Sequence, residues 1–174
     1  MKTPSYQRIL VALDGSDCSG LALGHAVQLA RTYHAKLRLL HVIDELGFNI
    51  GHPRTPQEFW QAARAAGKDI LSGAKELSAK SGVAARTKLI EMLTMGSLIR
   101  HVSEVIVQEA VRDRADLVVV GTHGRRGASR LMLGSVAEGV LRRSPVPVLL
   151  IPGPGTRALA KQARSTDSAI SLGE

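Results

Sequence analysis

The sequence predicts a single α/β domain with a five-stranded parallel, doubly wound sheet and helices on both faces. Five short apolar segments alternate along the chain with four segments of helical periodicity, an order typical of such sheets. The length of 174 residues suits one domain. Aromatic residues make up only 3% of the chain, so Ala, Val, Leu and Ile must build the core.

The first half of the chain supplies two buried strands and two helices. Residues 8–13 and 37–43 are short apolar segments, as in strands that are buried on both faces. Between them, small apolar residues recur at helical spacing over residues 16–33. A second helix is predicted to begin at the capping-box segment 55–58, whose proline suits a first turn, and to end at Gly82.

The middle of the chain supplies two more strands and a third helix. Residues 83–91 alternate apolar and basic side chains, which a strand at a sheet edge tolerates. Apolar residues at helical spacing over residues 99–110 predict the helix. Residues 117–120 form the most apolar segment and predict a central strand.

The last two predicted elements are a helix and an edge strand. The helix covers residues 135–143, and Ser135 and Glu138 have the spacing of a capping box at its start. The strand covers residues 146–151, and we expect it at a sheet edge because Pro147 has no amide hydrogen to give to a neighbouring strand.

Composition and the chain ends exclude several classes of protein. The single cysteine, Cys18, cannot close an intrachain disulfide or supply a two-cysteine metal site. The first apolar run is too short for an export signal, and no run approaches the ~20 residues of a membrane helix. We therefore expect a cytoplasmic protein without membrane contact. Residues 1–152 are the expected domain, and residues 153–174, which follow a Pro-Gly break, a flexible tail.

The net charge favours an anionic ligand. Lys and Arg number 23 and Asp and Glu 15, so the net charge is 23 − 15 = +8. Much of the excess falls in one short stretch with a single acid, Glu138: Arg125, Arg126, Arg130, Arg142 and Arg143. Because this charge is local, it indicates a phosphate site more than an extended nucleic-acid surface, and no nucleic acid is expected as a partner.

Two predicted strand ends carry residues suited to ligand binding, since ligands of doubly wound sheets bind at the carboxyl ends of strands. The first is Asp14, directly after the first strand. The second is the glycine loop, by which we mean residues 121–134. It holds Gly121 and Gly124 and leads through Gly134 to the predicted helix that starts at Ser135. Glycines admit an anion close to backbone amides, a helix start adds partial positive charge, and arginine fits phosphate geometry.

Structural alternatives stay open for these residues. Ser135 could serve only as an N-cap, and Asp14 could cap the turn that follows it. The glycines at 15 and 20 have P-loop spacing, but the lysine that a P-loop requires is missing. Cys18 and His123 have no partner in the sequence pattern that indicates catalysis. No catalytic residue and no metal-ligand set are assigned.

The glycine loop carries a family resemblance. The pattern Gly121-x2-Gly124-x9-Gly134-Ser135 resembles the nucleotide-binding motif of the universal stress protein family, in its ATP-binding branch. Residues 9–16, 40–43 and 144–148 resemble the first, second and last strands of that family. The resemblance covers residues 5–152 and implies a sheet with strand order 3-2-1-4-5.

The resemblance implies specific contacts for ATP at its nucleoside end. Asp14 matches the acidic residue that contacts the nucleoside, and Val42 matches the position whose backbone holds the adenine. Gly121 and Gly124 match residues that line the ribose and the phosphates.

The phosphate end is implied in the same way. Gly134, Ser135 and Val136 match the residues whose amides and hydroxyl bind the phosphates, and Mg²⁺ can bridge the phosphates in such proteins. From its place within the glycine loop, Arg125 is expected to add charge to this end.

These implications yield a functional hypothesis. The chain is expected to be an ATP-binding stress-response module with at most slow ATP hydrolysis, and a homodimer through its last strand. Two alternatives are a nucleotide hydrolase or transferase on the same fold and a basic nucleic-acid-binding protein. The dimer prediction depends on apolar residues of an edge strand, namely Val146, Val148, Leu149 and Ile151.

Overall fold

A computed structural model describes residues 6–44, 55–92, 101–124 and 133–154, and in them strands and helices alternate along the chain. The strands are β1 (Arg8–Ala12), β2 (Lys36–Asp44), β3 (Ala85–Met92), β4 (Leu117–Gly121) and β5 (Val148–Ile151). The helices are α1 (Asp17–Tyr33), α2 (Pro56–Lys80), α3 (Val102–Arg112) and α4 (Ser135–Arg143). The alternation predicted from the sequence is confirmed.

The five strands form one parallel sheet in the order β3-β2-β1-β4-β5. The predicted fold class, strand order and the two edge strands β3 and β5 are thereby confirmed. The last strand begins at Val148, so its predicted start at Val146 is wrong. The Pro147 carbonyl still accepts a bond from the Val118 amide at 3.0 Å, but a proline donates none, and the ladder begins one residue later.

The core lies in two layers, one on each face of the sheet. Ile9 and Val11 of β1 point to the face that α1 and α2 cover, whereas Leu10 points to the face that α3 and α4 cover. This alternation follows from the two-residue period of a strand, and both faces are apolar because both are covered. The helix that follows β1, α1, and the helix that follows β4, α4, cover opposite faces, so the connections after the carboxyl ends of these two neighbouring strands lead to opposite sides of the sheet.

The N-caps of α2 and α4 can be compared with those predicted from the sequence. Thr55 caps α2 by accepting a bond from the Glu58 amide at 3.2 Å, as the capping-box segment predicts. The predicted cap of α4 is wrong. Gly134 is its N-cap, with an extended backbone of φ −65° and ψ 148°, and no side chain caps this helix. The Gly134 carbonyl accepts the bond from the Glu138 amide at 2.9 Å, which makes Ser135 the first residue inside the helix.

Two further observations concern the chain as a whole. None of the described helices is long and apolar enough to cross a lipid bilayer. Three predictions fall outside the described residues: Ile99 in the third helix, Arg125 and its neighbours Arg126 and Arg130, and the tail from residue 155 onward.

Candidate functional site

A cavity of about 400 Å³ opens at the carboxyl ends of the neighbouring strands β1 and β4. The ends of β1, β2 and β4 and the first turns of α3 and α4 line it. Seven of the eight residues that the sequence singles out for ligand binding share this lining: Asp14, Val42, Gly121, Gly124, Gly134, Ser135 and Val136. The eighth, Arg125, lies outside the described residues. The structure thus brings the predicted residues together, and their contact with a ligand stays a prediction.

One end of the cavity is mostly apolar. Leu40 and Val42, alternate residues of β2, line it together with Ala12 at the end of β1. Val102 and Ile106 of α3 close it from the other side. A flat apolar group of a ligand would exchange water for side-chain contacts at this end.

The other end is formed by residues 121–124 and by the first turn of α4 with its N-cap Gly134. Gly134, Ser135, Val136 and Ala137 all line the cavity there. The first amides of a helix have no partner within the helix, and they carry its partial positive charge. Because no side chain caps α4, its first turn offers hydrogen-bond donors to an anion.

Two glycines of the loop, Gly121 and Gly134, have a steric reason. A Cβ at Gly121 would lie 2.7 Å from the Cys18 sulfur and 3.1 Å from the Cys18 carbonyl carbon, so α1 packs directly on this strand end. A Cβ at Gly134 would lie 3.1 Å from the Thr122 carbonyl oxygen. Packing alone therefore favours glycine at these two positions, whether or not a ligand binds.

Asp14 follows β1 and also lies beside Gly124, which follows β4. One carboxylate oxygen accepts bonds from the Ser16 amide at 3.0 Å and the Ser16 hydroxyl at 2.6 Å. The other oxygen faces Gly124, where a Cβ would approach it to 2.7 Å. The turn-capping alternative is correct for the first oxygen. It does not exclude a ligand contact by the second, because a carboxylate accepts several hydrogen bonds.

Sequence reasoning missed several residues of the lining. His41 is buried within the apolar second strand, and its Nδ1 lies 2.6 Å from the Leu13 carbonyl oxygen. Asp44 places a carboxylate near the apolar end. Thr122 and His123 lie between two motif glycines, and the Thr122 hydroxyl is 2.9 Å from His123 Nδ1. Two sequence signals could have found these residues. His41 is a polar residue in an otherwise apolar strand, and Thr122 and His123 fill the two positions between the motif glycines.

The thiol of Cys18 is a structural group. The residue is buried, and its sulfur donates to the Ile151 carbonyl oxygen at 3.2 Å. Within the part of the chain that the structure describes, no group of three or more His, Cys, Asp or Glu side chains could hold a metal ion.

An ion pair outside the cavity, between Arg64 and Glu91, shifts the pKa values of both its groups. Arg64 of α2 donates to both carboxylate oxygens of Glu91 on β3, at 2.7 and 2.8 Å. These bonds lower the pKa of the Glu91 carboxyl and raise the pKa of Arg64. Both groups are partly exposed, so the pair contributes to joining α2 to β3 without belonging to the site.

Comparison with known proteins identifies relatives along most of the chain. A family model described as the universal stress protein family matches residues 5–152. Universal stress protein YxiE of Bacillus subtilis is 35% identical over 154 residues, which cover 84% of this chain and 99% of that protein. Universal stress protein MJ0531 of Methanocaldococcus jannaschii is 31% identical over 153 residues, with 86% and 84% covered.

A solved structure adds a likeness in three dimensions. A universal stress protein in complex with cAMP is 26% identical, with a TM-score of 0.62, and the match covers 86% of this chain and 98% of that one. The family match over most of the chain, the two relatives above 30% identity and the shared sheet order lead to one conclusion. This chain belongs to the universal stress protein family.

Proposed function

We propose that this protein binds an adenine nucleotide, ATP in the first place, in the cavity between β1 and β4, and acts as a nucleotide-dependent stress-response module. The observation that carries the proposal is the difference between the two sides of the cavity. Apolar Val42 of β2 lines it on one side of β1, and on the other side, after β4, Gly134 starts a helix without a side-chain cap. A nucleotide has the matching polarity, with an apolar base at one end and phosphates at the other.

The proposal assigns a role to each predicted residue. The backbone of Val42 holds the adenine, and the Asp14 oxygen that faces Gly124 accepts from the ribose hydroxyls. The amides of Ser135 and Val136 and the Ser135 hydroxyl donate to the phosphates. Arg125 adds positive charge at the same end. The relative solved with cAMP supports an adenine nucleotide as the ligand class.

Mg²⁺ is proposed to enter with the phosphates and not on its own. The described residues offer only scattered oxygen donors at the cavity, such as the Ser135 hydroxyl and the Asp14 carboxylate. A hard divalent ion needs six or so oxygen ligands, and the phosphates and water would supply most of them. The ion would neutralise phosphate charge there, while the protein's own residues bind and orient the nucleotide.

We also propose that the protein is a cytoplasmic homodimer. β5 pairs with β4 on one side only, and its Val148, Leu149 and Leu150 are partly exposed. An apolar edge strand is a ready surface for a second copy of the chain. Light scattering should give a mass of twice 18.6 kDa. A monomer mass at every accessible concentration would remove this part of the proposal.

Calorimetric titration tests the nucleotide site. The parent protein should bind ATP more tightly than ADP and bind adenosine most weakly, because phosphates contribute contacts at α4. Gly124→Val should weaken ATP binding about tenfold or more, since its side chain pushes against the Asp14 carboxylate. Gly73→Ala on α2, where a Cβ meets nothing within 4 Å, is the matched control and should bind like the parent.

Two results would contradict the proposal. One is a parent protein that releases no heat with ATP and carries no nucleotide when it is denatured and its supernatant chromatographed. The other is a folded Gly124→Val variant with the parent's affinity for ATP, which would move the ligand away from the cavity.

A further inference from the structure

Basic residues form a diagonal row across one face of the strands β1, β2 and β3. Leu10, Leu40 and Ile90 of these strands lie in the core layer that α3 and α4 cover. Because side chains alternate along a strand, residues an even number of positions from these three share that face. The basic residues that do so define the basic row, namely Arg8, Lys36, Arg38, Arg86 and Lys88.

The sheet register places like charges of the basic row opposite each other. Arg8 of β1 lies opposite Lys36 of β2, and Arg38 of β2 lies opposite Arg86 of β3. Like charges that face each other on neighbouring strands destabilise a sheet. The row therefore costs the fold some stability.

Nearby acids offset only part of this repulsion. Asp113 pairs with Arg38 at 2.6 Å. Buried Glu109 pairs with Lys88, but it also pairs with Arg112, so its charge is shared. The other three residues of the basic row are exposed and form no ion pair with an acid among the described residues. The row thus keeps an excess of positive charge on the surface.

Protection of the sheet edge explains only part of the row. Charged side chains on an edge strand discourage pairing with stray chains, and Arg86 and Lys88 lie on the edge strand β3. Arg8, Lys36 and Arg38 lie on the inner strands β1 and β2, where no edge has to be protected. A row that continues inward indicates a surface that attracts negative charge.

β3 offers backbone groups beside this charge. It pairs with β2 on one side, and no described strand lies along its other side. All eight of its residues are partly or fully exposed. On the face of the basic row it presents Arg86, then Lys88, then Ile90. A strand added to this edge would bond to the outward amides and carbonyls and place every second side chain opposite these three residues.

We propose that the free edge of β3 binds an extended acidic segment of a different protein as an added strand. Two acidic residues of that segment, two positions apart, lie opposite Arg86 and Lys88, and an apolar residue two positions further lies opposite Ile90. A second copy of this chain is not the partner. It carries a net charge of +8, and none of its 15 Asp and Glu residues stands two positions from another. The inference goes beyond the proposed function and does not depend on nucleotide binding.

Two peptides of equal composition test the spacing. Fluorescein-labelled Glu-Thr-Glu-Thr-Val-Thr-Glu-Thr-Glu carries the expected pattern in either strand direction. Glu-Glu-Thr-Thr-Val-Thr-Thr-Glu-Glu has the same charge, but no two of its glutamates stand two positions apart. By fluorescence anisotropy at about 150 mM salt, where long-range attraction is screened, the parent protein should bind the first peptide about tenfold more tightly than the second.

A charge reversal tests the surface. Arg86→Glu removes the repulsion with Arg38, so the variant should fold. It should bind the first peptide about tenfold or more weakly than the parent, because a glutamate of the peptide then faces a like charge. Lys75→Glu, exposed on α2, changes the net charge equally and should bind within about twofold of the parent.

Hydrogen exchange distinguishes strand addition from charge attraction. Every second amide of β3 points away from β2, and in the free protein these amides should exchange quickly. The first peptide should slow their exchange about tenfold or more, because each amide gains a carbonyl partner. The second peptide should leave the exchange rates as they are.

The outcomes decide the proposal separately from the nucleotide site. It is overturned if the parent binds neither peptide, if both peptides bind alike, or if β3 exchange does not change. Single-stranded DNA or phosphatidylserine vesicles that bind the parent but not Arg86→Glu, while neither peptide binds, also overturn it and assign the basic row to phosphate groups. A protein that binds no ATP but shows the expected peptide results loses the proposed function and keeps this inference.

Discussion

Helices α1 and α4 both begin beside the cavity, but their first turns are completed in different ways. In α1 the Ser16 hydroxyl oxygen accepts from the Ser19 amide at 3.2 Å, and Asp14 in turn holds Ser16. In α4 the N-cap is Gly134, and no side chain closes the turn. At the first helix start a serine side chain of the protein accepts from a helix amide, whereas no side chain among the described residues does so at the second, whose first amides are open to water or a ligand there.

The difference shows that a serine's position within a helix start determines its role. Ser16 lies outside α1 as its N-cap, and Ser135 lies one step further in, as the first residue of α4. A hydroxyl at the N-cap can accept from the helix amides, while one at the first helical residue is released to donate outward. Ser16 therefore stabilises the start of α1, whereas the Ser135 hydroxyl does not cap α4, and its contact with a phosphate stays a proposal.

The largest expected effect comes from placing a negatively charged cap at the start of α4. Gly134→Asp places a carboxylate where it can accept from the first amides and repel phosphate. ATP affinity should fall about 100-fold or more by calorimetry, because like charges at close range cost several kcal/mol. Gly134→Ser is the matched control, since its Cβ meets the same Thr122 carbonyl without the charge, and it should lose much less affinity. Equal affinities for the Asp variant and the parent would show that α4 does not hold the phosphates.

The reciprocal change removes the cap of α1. Ser16→Ala leaves the Ser19 amide without its partner and removes the hydroxyl bond to Asp14, while the backbone amide of residue 16 still donates to that carboxylate. The free energy of unfolding should fall by about 1 to 2 kcal/mol in urea titration. Exposed Gly24→Ala in the middle of the same helix should instead raise it slightly, by about 0.5 kcal/mol. If Ser16→Ala has the same urea midpoint as the parent, the Ser16 cap does not stabilise the protein, and the contrast drawn between α1 and α4 is wrong for α1.

The smallest effect separates binding from stability at a single hydroxyl. Ser135→Ala should weaken ATP binding about threefold to fivefold, the value of one lost hydrogen bond. The free energy of unfolding should stay within about 0.5 kcal/mol of the parent's, because this side chain does not cap α4. If the free energy of unfolding falls by about 1 kcal/mol while ATP affinity is unchanged, Ser135 stabilises the helix start and does not bind the ligand.

The sequence predicted those features that depend on local pattern. The alternation of apolar strand segments and helical segments was sufficient to predict the parallel sheet. The capping-box segment was sufficient to predict that α2 starts at Thr55. The start of α4 was not predictable, because glycine and serine are both good N-caps and the two stand next to each other at Gly134 and Ser135. Only the backbone geometry of Gly134 decides between them.

The details of the cavity depend on contacts between residues far apart in the chain. The steric need for glycine at 121 comes from Cys18 on α1, and a sequence pattern alone attributes it to the ligand. The hydrogen bond between Thr122 and His123 depends on side-chain conformations that no spacing rule contains. The sequence therefore predicted residues that the fold gathers around one cavity, and the fold shows which of them packing alone explains.

Backbone NMR during ATP titration tests the central claim most directly. The claim is that the first turn of α4 binds phosphate while the first turn of α1, closed by Ser16, does not. The amides of Ser135 and Val136 should shift strongly downfield and saturate with ATP, because they gain bonds to a charged acceptor. The Ser19 amide should move little, since it keeps its bond to Ser16. Saturating ATP that shifts Ser19 strongly and leaves Ser135 and Val136 in place would contradict the account.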